Sequence, residues 1–174
     1  MNESDRKEQP PLGREDLTIR KAGLEDVDGL LALEDACFPV ERRSNRRSVR
    51  RSLSSPTQSV WMAFSSDGAL AGALFLHHHS ESIRIYSIAV WPKTQSAGVG
   101  SALVSHTLSL AKDIGGSRIT LEADSSNMRL LGWYARFGFV VVKELPNYYS
   151  PGFHAVRMAL SLGVVKSGCN QHAN

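Results

Sequence analysis

The chain has 174 residues, of which 42% are hydrophobic and 21% are charged, and its formal net charge is +3. This composition is typical of one folded domain and excludes collagen-like, disulfide-rich and highly charged disordered proteins. Any strongly basic region must therefore be local, and the longest apolar run, at residues 69–76, is too short to cross a bilayer.

The two ends of the chain differ from its middle. Residues 1–15 are charged, contain two adjacent prolines and lack the apolar segment of a signal peptide, so they predict a disordered tail. Residues 163–174 have no periodic pattern and predict a flexible tail, which leaves one folded domain at 16–162. The two cysteines, Cys37 and Cys169, have no metal-ligand spacing and suit a reducing compartment. We therefore expect a cytoplasmic protein.

The hydrophobic pattern predicts seven strands and four helices in the order β-α-α-β-β-β-α-β-α-β-β. Their predicted positions are 17–20, 24–37, 45–53, 59–64, 69–77, 82–90, 99–114, 118–123, 128–136, 139–145 and 155–160. Pro39 ends the first helix, Asp67 and Gly68 indicate a tight turn between strands, and Gly138 closes the last helix. Hairpins in the first half and crossovers in the second imply an α/β protein with a mixed sheet.

Two of the helices have an apolar stripe that predicts which side chains face the core. In the first helix these are Val27, Leu30, Leu31 and Phe38. In the long third helix they are Val99, Leu103, Leu110 and Ile114. His106 falls in the second stripe, and we expect it to be packed there.

Residues 83–100 form a strand, a glycine loop and the start of a helix. The loop at 95–100 has the pattern Q-x-x-G-x-G. Glycines let the backbone approach an anion, and a helix N-terminus offers unpaired N–H groups, so this order can bind phosphate. A Walker loop is excluded because no lysine follows Gly100, and a dinucleotide fingerprint is excluded because Leu103 stands where its third glycine would be. The remaining alternatives are the pyrophosphate loop of a coenzyme A–dependent acyltransferase and a turn that binds no ligand.

Several blocks of the sequence resemble the GNAT acetyltransferases, and more narrowly the RimI-type N-terminal acetyltransferases of ribosomal proteins. They are residues 88–90 with the glycine loop, the L-E-x-x-x-S-N block at 121–127, the Y-x-x-x-G-F block at 134–139, and residues 19–22, 33–39 and 147–149. The resemblance covers residues 17–160. It implies the GNAT acyl-CoA N-acyltransferase fold, a splayed mixed sheet flanked by helices, with acetyl-CoA as cosubstrate and no metal.

The resemblance also implies which residues bind acetyl-CoA. They are Ile88, Ala89, Val90, Gln95, Ser96, Ala97, Gly98, Val99, Gly100, Ser101 and Asn127. The backbone of 88–90 would bind the pantetheine arm and polarise the thioester oxygen, and the loop would hold the pyrophosphate. Relatives commonly have basic residues at positions like Ser96 and Ala97, so we expect weaker phosphate binding here. Asn127 is either a pantetheine ligand, a helix N-cap, or both.

Two residues are candidates for catalysis. In RimI-like enzymes the residue that matches Glu122 is the general base, which takes a proton from the incoming ammonium through water; the alternative is a surface carboxylate. Tyr134 is seven residues after Asn127 and shares its helical face. The resemblance implies that Tyr134 is the general acid for the departing thiolate, and the alternative is a core aromatic. Asp124 stands where RimI-type enzymes have a basic residue. This difference concerns which peptide is the acceptor more than it concerns the chemistry.

The basic residues at 42–51 form a dense run: Arg42, Arg43, Arg46, Arg47, Arg50 and Arg51. The run predicts either a solvated helix face or a surface for an acidic or ribosome-associated acceptor, because in this fold the helix borders the acceptor groove. Nucleic-acid recognition is disfavoured because no aromatic residues are interleaved. The adjacent His77, His78 and His79 alternate between the faces of a strand, so we expect a surface patch and no metal site.

The sequence therefore predicts an acetyl-CoA–dependent N-acetyltransferase that acts by direct transfer in a ternary complex, as a monomer or homodimer. The favoured acceptor is a protein or peptide N-terminal α-amine, whose pKa near 8 requires little help for deprotonation. Two alternatives stay open: an acetyltransferase of a small amine or amino acid, and a catalytically idle GNAT that binds coenzyme A as a sensor.

Overall fold

The computed structural model describes residues 17–95 and 97–163, so the predictions for 1–15, Ser96, Cys169 and most of the C-terminal tail lie outside the described residues. The strands are β1 Thr18–Lys21, β2 Gln58–Phe64, β3 Leu70–His79, β4 Ser82–Val90, β5 Arg118–Asp124, β6 Val140–Ser150 and β7 Phe153–Ser161. The α-helices are α1 Val27–Cys37, α2 Arg46–Ser54, α3 Val99–Asp113 and α4 Met128–Ala135. The predicted order of strands and helices is confirmed.

The seven strands are hydrogen-bonded in the order β1-β2-β3-β4-β5-β7-β6. Strands β4 and β5 are parallel, whereas β7 is antiparallel to both of its neighbours, so the predicted mixed sheet is confirmed. The parallel register of β4 and β5 runs from Ser82↔Arg118 to Ile85↔Leu121. The next residue of β5, Glu122, is paired with Arg157 of β7.

The chain divides into two compact units, each built from several segments. The first unit contains residues up to Ser54 together with Val60–Leu74 and Ile88–Val104. Its β-hairpin forms because Asp67 accepts a hydrogen bond from the backbone N–H of Ala69 and Gly68 adopts a φ of 80° that favours glycine. Its buried core includes Leu30, Leu33, Val49, Val60, Leu74, Val99 and Leu103.

The second unit contains Ser55–Ser59, Phe75–Ser87 and the residues from Ser105 onward. Strand β5 alternates buried and more exposed residues, as expected for a strand with one face in a core, whereas β7 has two pairs of adjacent buried residues, Ala155–Val156 and Met158–Ala159. Its buried side chains include Leu76, Ile83, Ile119, Leu121, Phe139 and Met158. Most residues of β6 are exposed, as its position at the edge of the sheet explains.

The prediction of which α1 side chains face the core is partly wrong. Leu31 and Phe38 are only half-buried, and Leu33 and Glu34 are buried instead. Residues Leu24–Asp26 form a 3₁₀ turn, which has three residues per turn, so the α-helical phase begins only at Val27.

The predicted stripe of α3 is wrong at its end. Val99 and Leu103 are fully buried, but Leu110 is half-buried and Ile114 is 50% exposed. The helix ends at Asp113, so Ile114 lies at its C-terminus, directly before Gly115, whose left-handed φ of 67° takes the chain out of the helix.

Candidate active site

The glycine loop follows β4 in the first unit and is fixed by hydrogen bonds to β3. The backbone N–H of Trp91 donates to the carbonyl of Ala71 at 3.0 Å, and the hydroxyl of Thr94 donates to the same carbonyl at 3.2 Å. A 3₁₀ turn at Pro92–Thr94 connects the strand to the loop. These hydrogen bonds attach the N-terminal end of the glycine loop to β3.

The end of the glycine loop is the N-terminus of α3. The backbone N–H of Ala102 donates to the carbonyl of Gly98 at 2.9 Å, which makes Gly98 the residue before the helix. Gly98 has a φ of 79°, a conformation that L-residues rarely adopt. The N–H groups of Val99, Gly100 and Ser101 belong to the first turn, where no carbonyl of the same helix is available to them. This arrangement fits an anionic group such as a pyrophosphate.

Gly72 of β3 allows α3 to begin close to β4. A Cβ atom at Gly72 would lie 2.8 Å from the carbonyl oxygen of Ala89 and 2.9 Å from a methyl carbon of Val99. Both distances are shorter than contacts that real Cβ atoms make. The sequence interpretation missed Gly72, although a glycine inside a strand is a signal of close backbone approach.

The C-terminus of α1 contacts the end of β4. The Cys37 thiol donates to the carbonyl of Val90 at 3.2 Å, and burial raises the pKa of this thiol. Val90 is one of the residues predicted to bind the pantetheine arm through its backbone. This hydrogen bond was also missed, because no pattern in the sequence links residue 37 to residue 90.

Glu122 of β5, in the second unit, is held by two arginines. Its side chain is only 4% exposed. The Nε of Arg84 donates to Oε2 of Glu122 at 2.8 Å, and the Nε of Arg157 donates to Oε1 at 2.8 Å. Glu122 is therefore not a surface carboxylate, and both of its oxygens accept charge-assisted hydrogen bonds.

Arg84 connects Glu122 to a tyrosine of β6. One terminal nitrogen of Arg84 lies 2.7 Å from Oε2 of Glu122 and donates to the hydroxyl of Tyr148 at 2.9 Å. The guanidinium also lies over the ring of Tyr86, 5.7 Å from its centroid, and the ring of His77 stacks on Tyr86. The sequence interpretation missed Arg84 and Arg157, because only the strand register brings them to Glu122.

Tyr134 is buried on α4, with 7% of its surface exposed. Its ring makes edge-to-face contacts with Trp133 at 4.7 Å and with Phe139 at 5.7 Å. Burial, together with the proximity of Tyr149, raises the pKa of the phenol well above its ordinary value. The hydroxyl is protonated at neutral pH, as any phenol is, and its raised pKa means that it gives up this proton less readily than a free phenol.

Asn127 is the N-cap of α4. Its Oδ1 accepts a hydrogen bond from the backbone N–H of Leu130 at 3.0 Å. Just before it, Asp124 accepts hydrogen bonds from the backbone N–H and the hydroxyl of Ser126 at 2.9 and 2.6 Å. Asp124 therefore stabilises the turn between β5 and α4, and the capping role expected as one alternative for Asn127 is confirmed.

The arginine run is divided by its contacts. Arg43 donates to the carbonyl of Phe38 and pairs with Asp35, and Arg46 pairs with Asp28, so these two arginines attach α2 and its preceding loop to α1. Arg47, Arg50 and Arg51 are exposed. Arg42 and Arg46 are exposed as well, so most of the run forms a solvated face.

The histidines do not form a metal site within residues 17–95 and 97–163, where no group of three or more potential ligands is found. His77 stacks on Tyr86, and His78 is hydrogen-bonded to Ser59 at 2.7 Å. His106 is half-buried in α3, and burial lowers its pKa. No helix among the described residues is long and apolar enough to span a membrane.

Comparison with known proteins adds to these observations. Residues 18–162 match the family described as the acetyltransferase (GNAT) domain. A putative [ribosomal protein bS18]-alanine N-acetyltransferase of Bacillus subtilis is 26% identical over 76% of this chain and 86% of its own length. The N-alpha-acetyltransferase MAK3 of Arabidopsis thaliana is 33% identical over 47% of this chain and 44% of its own length, so the chain spans less than half of that relative.

Solved structures agree with the fold. The ribosomal-protein-S18-alanine N-acetyltransferase from Escherichia coli superposes with a TM-score of 0.78 at 20% identity, over 90% of this chain and 99% of that protein. At this identity the likeness concerns the fold alone.

Proposed function

This chain belongs to the GNAT acetyltransferase family, and we propose that it transfers the acetyl group of acetyl-CoA to the N-terminal α-amine of a protein or peptide. The observation that carries the proposal is the start of α3, where Gly98 and the first-turn N–H groups of residues 99–101 form an anion-binding end after β4. Transfer is direct, within a ternary complex of enzyme, acetyl-CoA and amine.

Acetyl-CoA supplies the thioester that the amine attacks. The N–H groups of Val99, Gly100 and Ser101 hold its pyrophosphate, with Gln95, Ser96, Ala97 and Gly98 forming the rest of the loop. The backbone of Ile88, Ala89 and Val90 binds the pantetheine arm, and Cys37 fixes the carbonyl of Val90. The side chain of Asn127 can accept its capping bond through one lone pair of Oδ1 and still offer its NH₂ group to a ligand.

Glu122 is the proposed general base, acting through water. Each carboxylate oxygen has two acceptor sites, so the bonds from Arg84 and Arg157 leave acceptor capacity for a water molecule. The two arginines also fix the orientation of the carboxylate, which reduces the entropy lost when the acceptor is positioned.

Tyr134 is the proposed general acid for the thiolate that leaves. Its raised pKa keeps the phenol protonated, and its contacts with Trp133 and Phe139 fix the ring. A positioned proton donor of this kind contributes about 10²–10⁴-fold to a rate.

The acceptor class is supported by two relatives, one named an N-alpha-acetyltransferase and the other a putative [ribosomal protein bS18]-alanine N-acetyltransferase. The discriminating experiment measures acetyl transfer from acetyl-CoA to a panel of N-terminal peptides and of small amines without a peptide bond. We expect the peptides to be acetylated with the higher kcat/KM. Equal or better turnover of polyamines or free amino acids would replace this acceptor class by small amines, and no turnover with coenzyme A still bound would make the protein a sensor.

The role of Glu122 is tested by the pH profile of Glu122→Gln. The loss of kcat/KM should be largest near pH 6, where the acceptor amine is protonated and needs a base, and smaller near pH 9. Glu144→Gln on the exposed strand β6 is the matched control, and thermal unfolding of both variants separates catalysis from stability. A loss that is constant from about pH 6 to pH 9 would remove Glu122 from the role of base.

A further inference from the structure

The two arginines around Glu122 carry more positive charge than the carboxylate neutralises, and they have more N–H donors than it accepts from. Arg84 and Arg157 both contact the single carboxylate, so the cluster of these three residues has one net positive charge. Lys143 is paired with Arg157 in the register of β6 and β7 and adds a further cation on that side. Two carboxylates also lie near in the register: Asp124, two residues along β5, which accepts hydrogen bonds from Ser126, and Glu144, next to Lys143 on β6.

Arg157 is the member of the cluster that can reach a ligand. It donates to Glu122 through Nε, and no acceptor for the two terminal nitrogens of its guanidinium is found among residues 17–95 and 97–163. Its side chain is 41% exposed, whereas that of Glu122 is 4% exposed. Glu122 therefore orients the guanidinium, and its two terminal nitrogens form a fork of N–H donors on a side chain that is accessible.

Such a fork matches a carboxylate, because a guanidinium can donate two parallel hydrogen bonds to its two oxygens. Arg84 strengthens the preference by its charge, and its bond to Tyr148 holds it beside the cluster.

We propose that Arg157, oriented by Glu122, recognises a carboxylate on the acceptor, so that the preferred acceptors are peptides whose first residue is aspartate or glutamate. This inference rests on the proposed function and specifies its substrate class. Arg157 is a specificity residue in this proposal.

The test compares kcat/KM for three peptides that differ only in the first residue: aspartate, asparagine and lysine. A charge-assisted bond of this kind should favour the aspartate peptide over the asparagine peptide by about tenfold to a hundredfold. Arg157→Met keeps the apolar stem and should bring this ratio close to one, and Arg157→Lys should preserve part of it. Arg118→Gln, an exposed arginine at the start of β5, is the control that should leave the ratio unchanged.

The ratio separates recognition from a structural role, because a damaged fold or a displaced Glu122 lowers kcat/KM for all three peptides alike. An equal ratio in the wild type and Arg157→Met overturns the inference while the proposed function stands.

Binding of the aspartate peptide in the presence of coenzyme A, measured by calorimetry, gives a readout that needs no turnover. Binding that is weakened in Arg157→Met without acetylation of any peptide supports the inference and overturns the proposed function. If the aspartate peptide is neither bound nor acetylated, both the inference and the proposed function are overturned.

Discussion

The glycine loop of the first unit and the arginine–glutamate cluster of the second unit are built by different means. The loop uses backbone groups: Gly98 in a left-handed conformation, the N–H groups that follow it, and the close approach allowed at Gly72. The cluster uses side chains from three strands, with Arg84, Glu122 and Arg157 joined by hydrogen bonds of 2.8 Å.

This difference decides how each region tolerates substitution. A backbone site loses function when a side chain is added, because the added atoms occupy space or require a strained φ. A side-chain cluster loses function when an atom is removed, because a buried charge is left without its partner. The predictions below add atoms at the backbone positions of the first region and remove polar groups from side chains elsewhere in the molecule.

Tyr134→Phe in the second unit should have the largest effect. It removes one hydroxyl with little change in volume, and we expect kcat to fall by about a hundredfold or more while the KM for acetyl-CoA changes little. Because the pKa of Tyr134 is raised, its ionisation should not limit kcat below about pH 10.

Steady-state kinetics of Tyr134→Phe and of the control Tyr86→Phe check this prediction. Tyr86 is 54% exposed, and removal of its hydroxyl should be almost neutral. An unchanged kcat in Tyr134→Phe would reduce Tyr134 to a core aromatic residue.

Gly100→Val adds atoms at the first turn of α3 and should abolish acetyl-CoA binding. In the wild type, acetyl-CoA at about 100-fold its Kd should stabilise the fold by about 2.7 kcal/mol, which is a Tm increase of roughly 5–10 °C. Gly132→Val, at a helical glycine where an added Cβ meets nothing within 4 Å, should keep this shift. If Gly100→Val kept it too, the pyrophosphate would have to bind elsewhere.

Gly72→Ala tests the backbone contact below the loop. The added Cβ would lie 2.8 Å from a carbonyl oxygen, so β3, β4 or α3 must move, and we expect a loss of about 1–3 kcal/mol in the free energy of unfolding. Gly132→Ala should instead stabilise α4 by about 0.4–1 kcal/mol. Denaturant unfolding of both variants measures the two effects, and equal values for the two would mean that the first region has no close backbone approach.

The same difference explains how much of the molecule could be predicted from the sequence. The loop was predicted to be a phosphate site because the spacing of Gln95, Gly98 and Gly100 is local and follows directly from the chain. The order of strands and helices was predicted for the same reason.

The cluster could not be predicted, because its partners are 38 and 35 residues from Glu122. Their meeting depends on the register of β4, β5 and β7, which one sequence does not specify. The core faces were predicted only in part: Val27, Leu30, Val99 and Leu103 are buried as predicted, but a hydrophobic pattern does not show where a 3₁₀ turn precedes α1 or where α3 ends.

Substitutions in the arginine run should have the smallest effect. They test whether exposed charges that have no fixed geometry contribute to acceptor binding. Arg43 and Arg46 are excluded from the test because they pair with Asp35 and Asp28 of α1. We expect the triple change Arg47→Gln, Arg50→Gln, Arg51→Gln to leave the Tm and the KM for acetyl-CoA nearly unchanged, since exposed ion pairs contribute about 0–1 kcal/mol. If the run attracts acidic acceptors, kcat/KM for an acidic peptide should fall a few-fold at low salt.

This loss of kcat/KM should become smaller near 0.15 M salt, where the screening length is about 8 Å. The charge-matched control is Lys112→Gln, Arg118→Gln, Arg136→Gln, and an equal loss in this control, or equal losses for acidic and neutral peptides, would reduce the run to a solvated helix face.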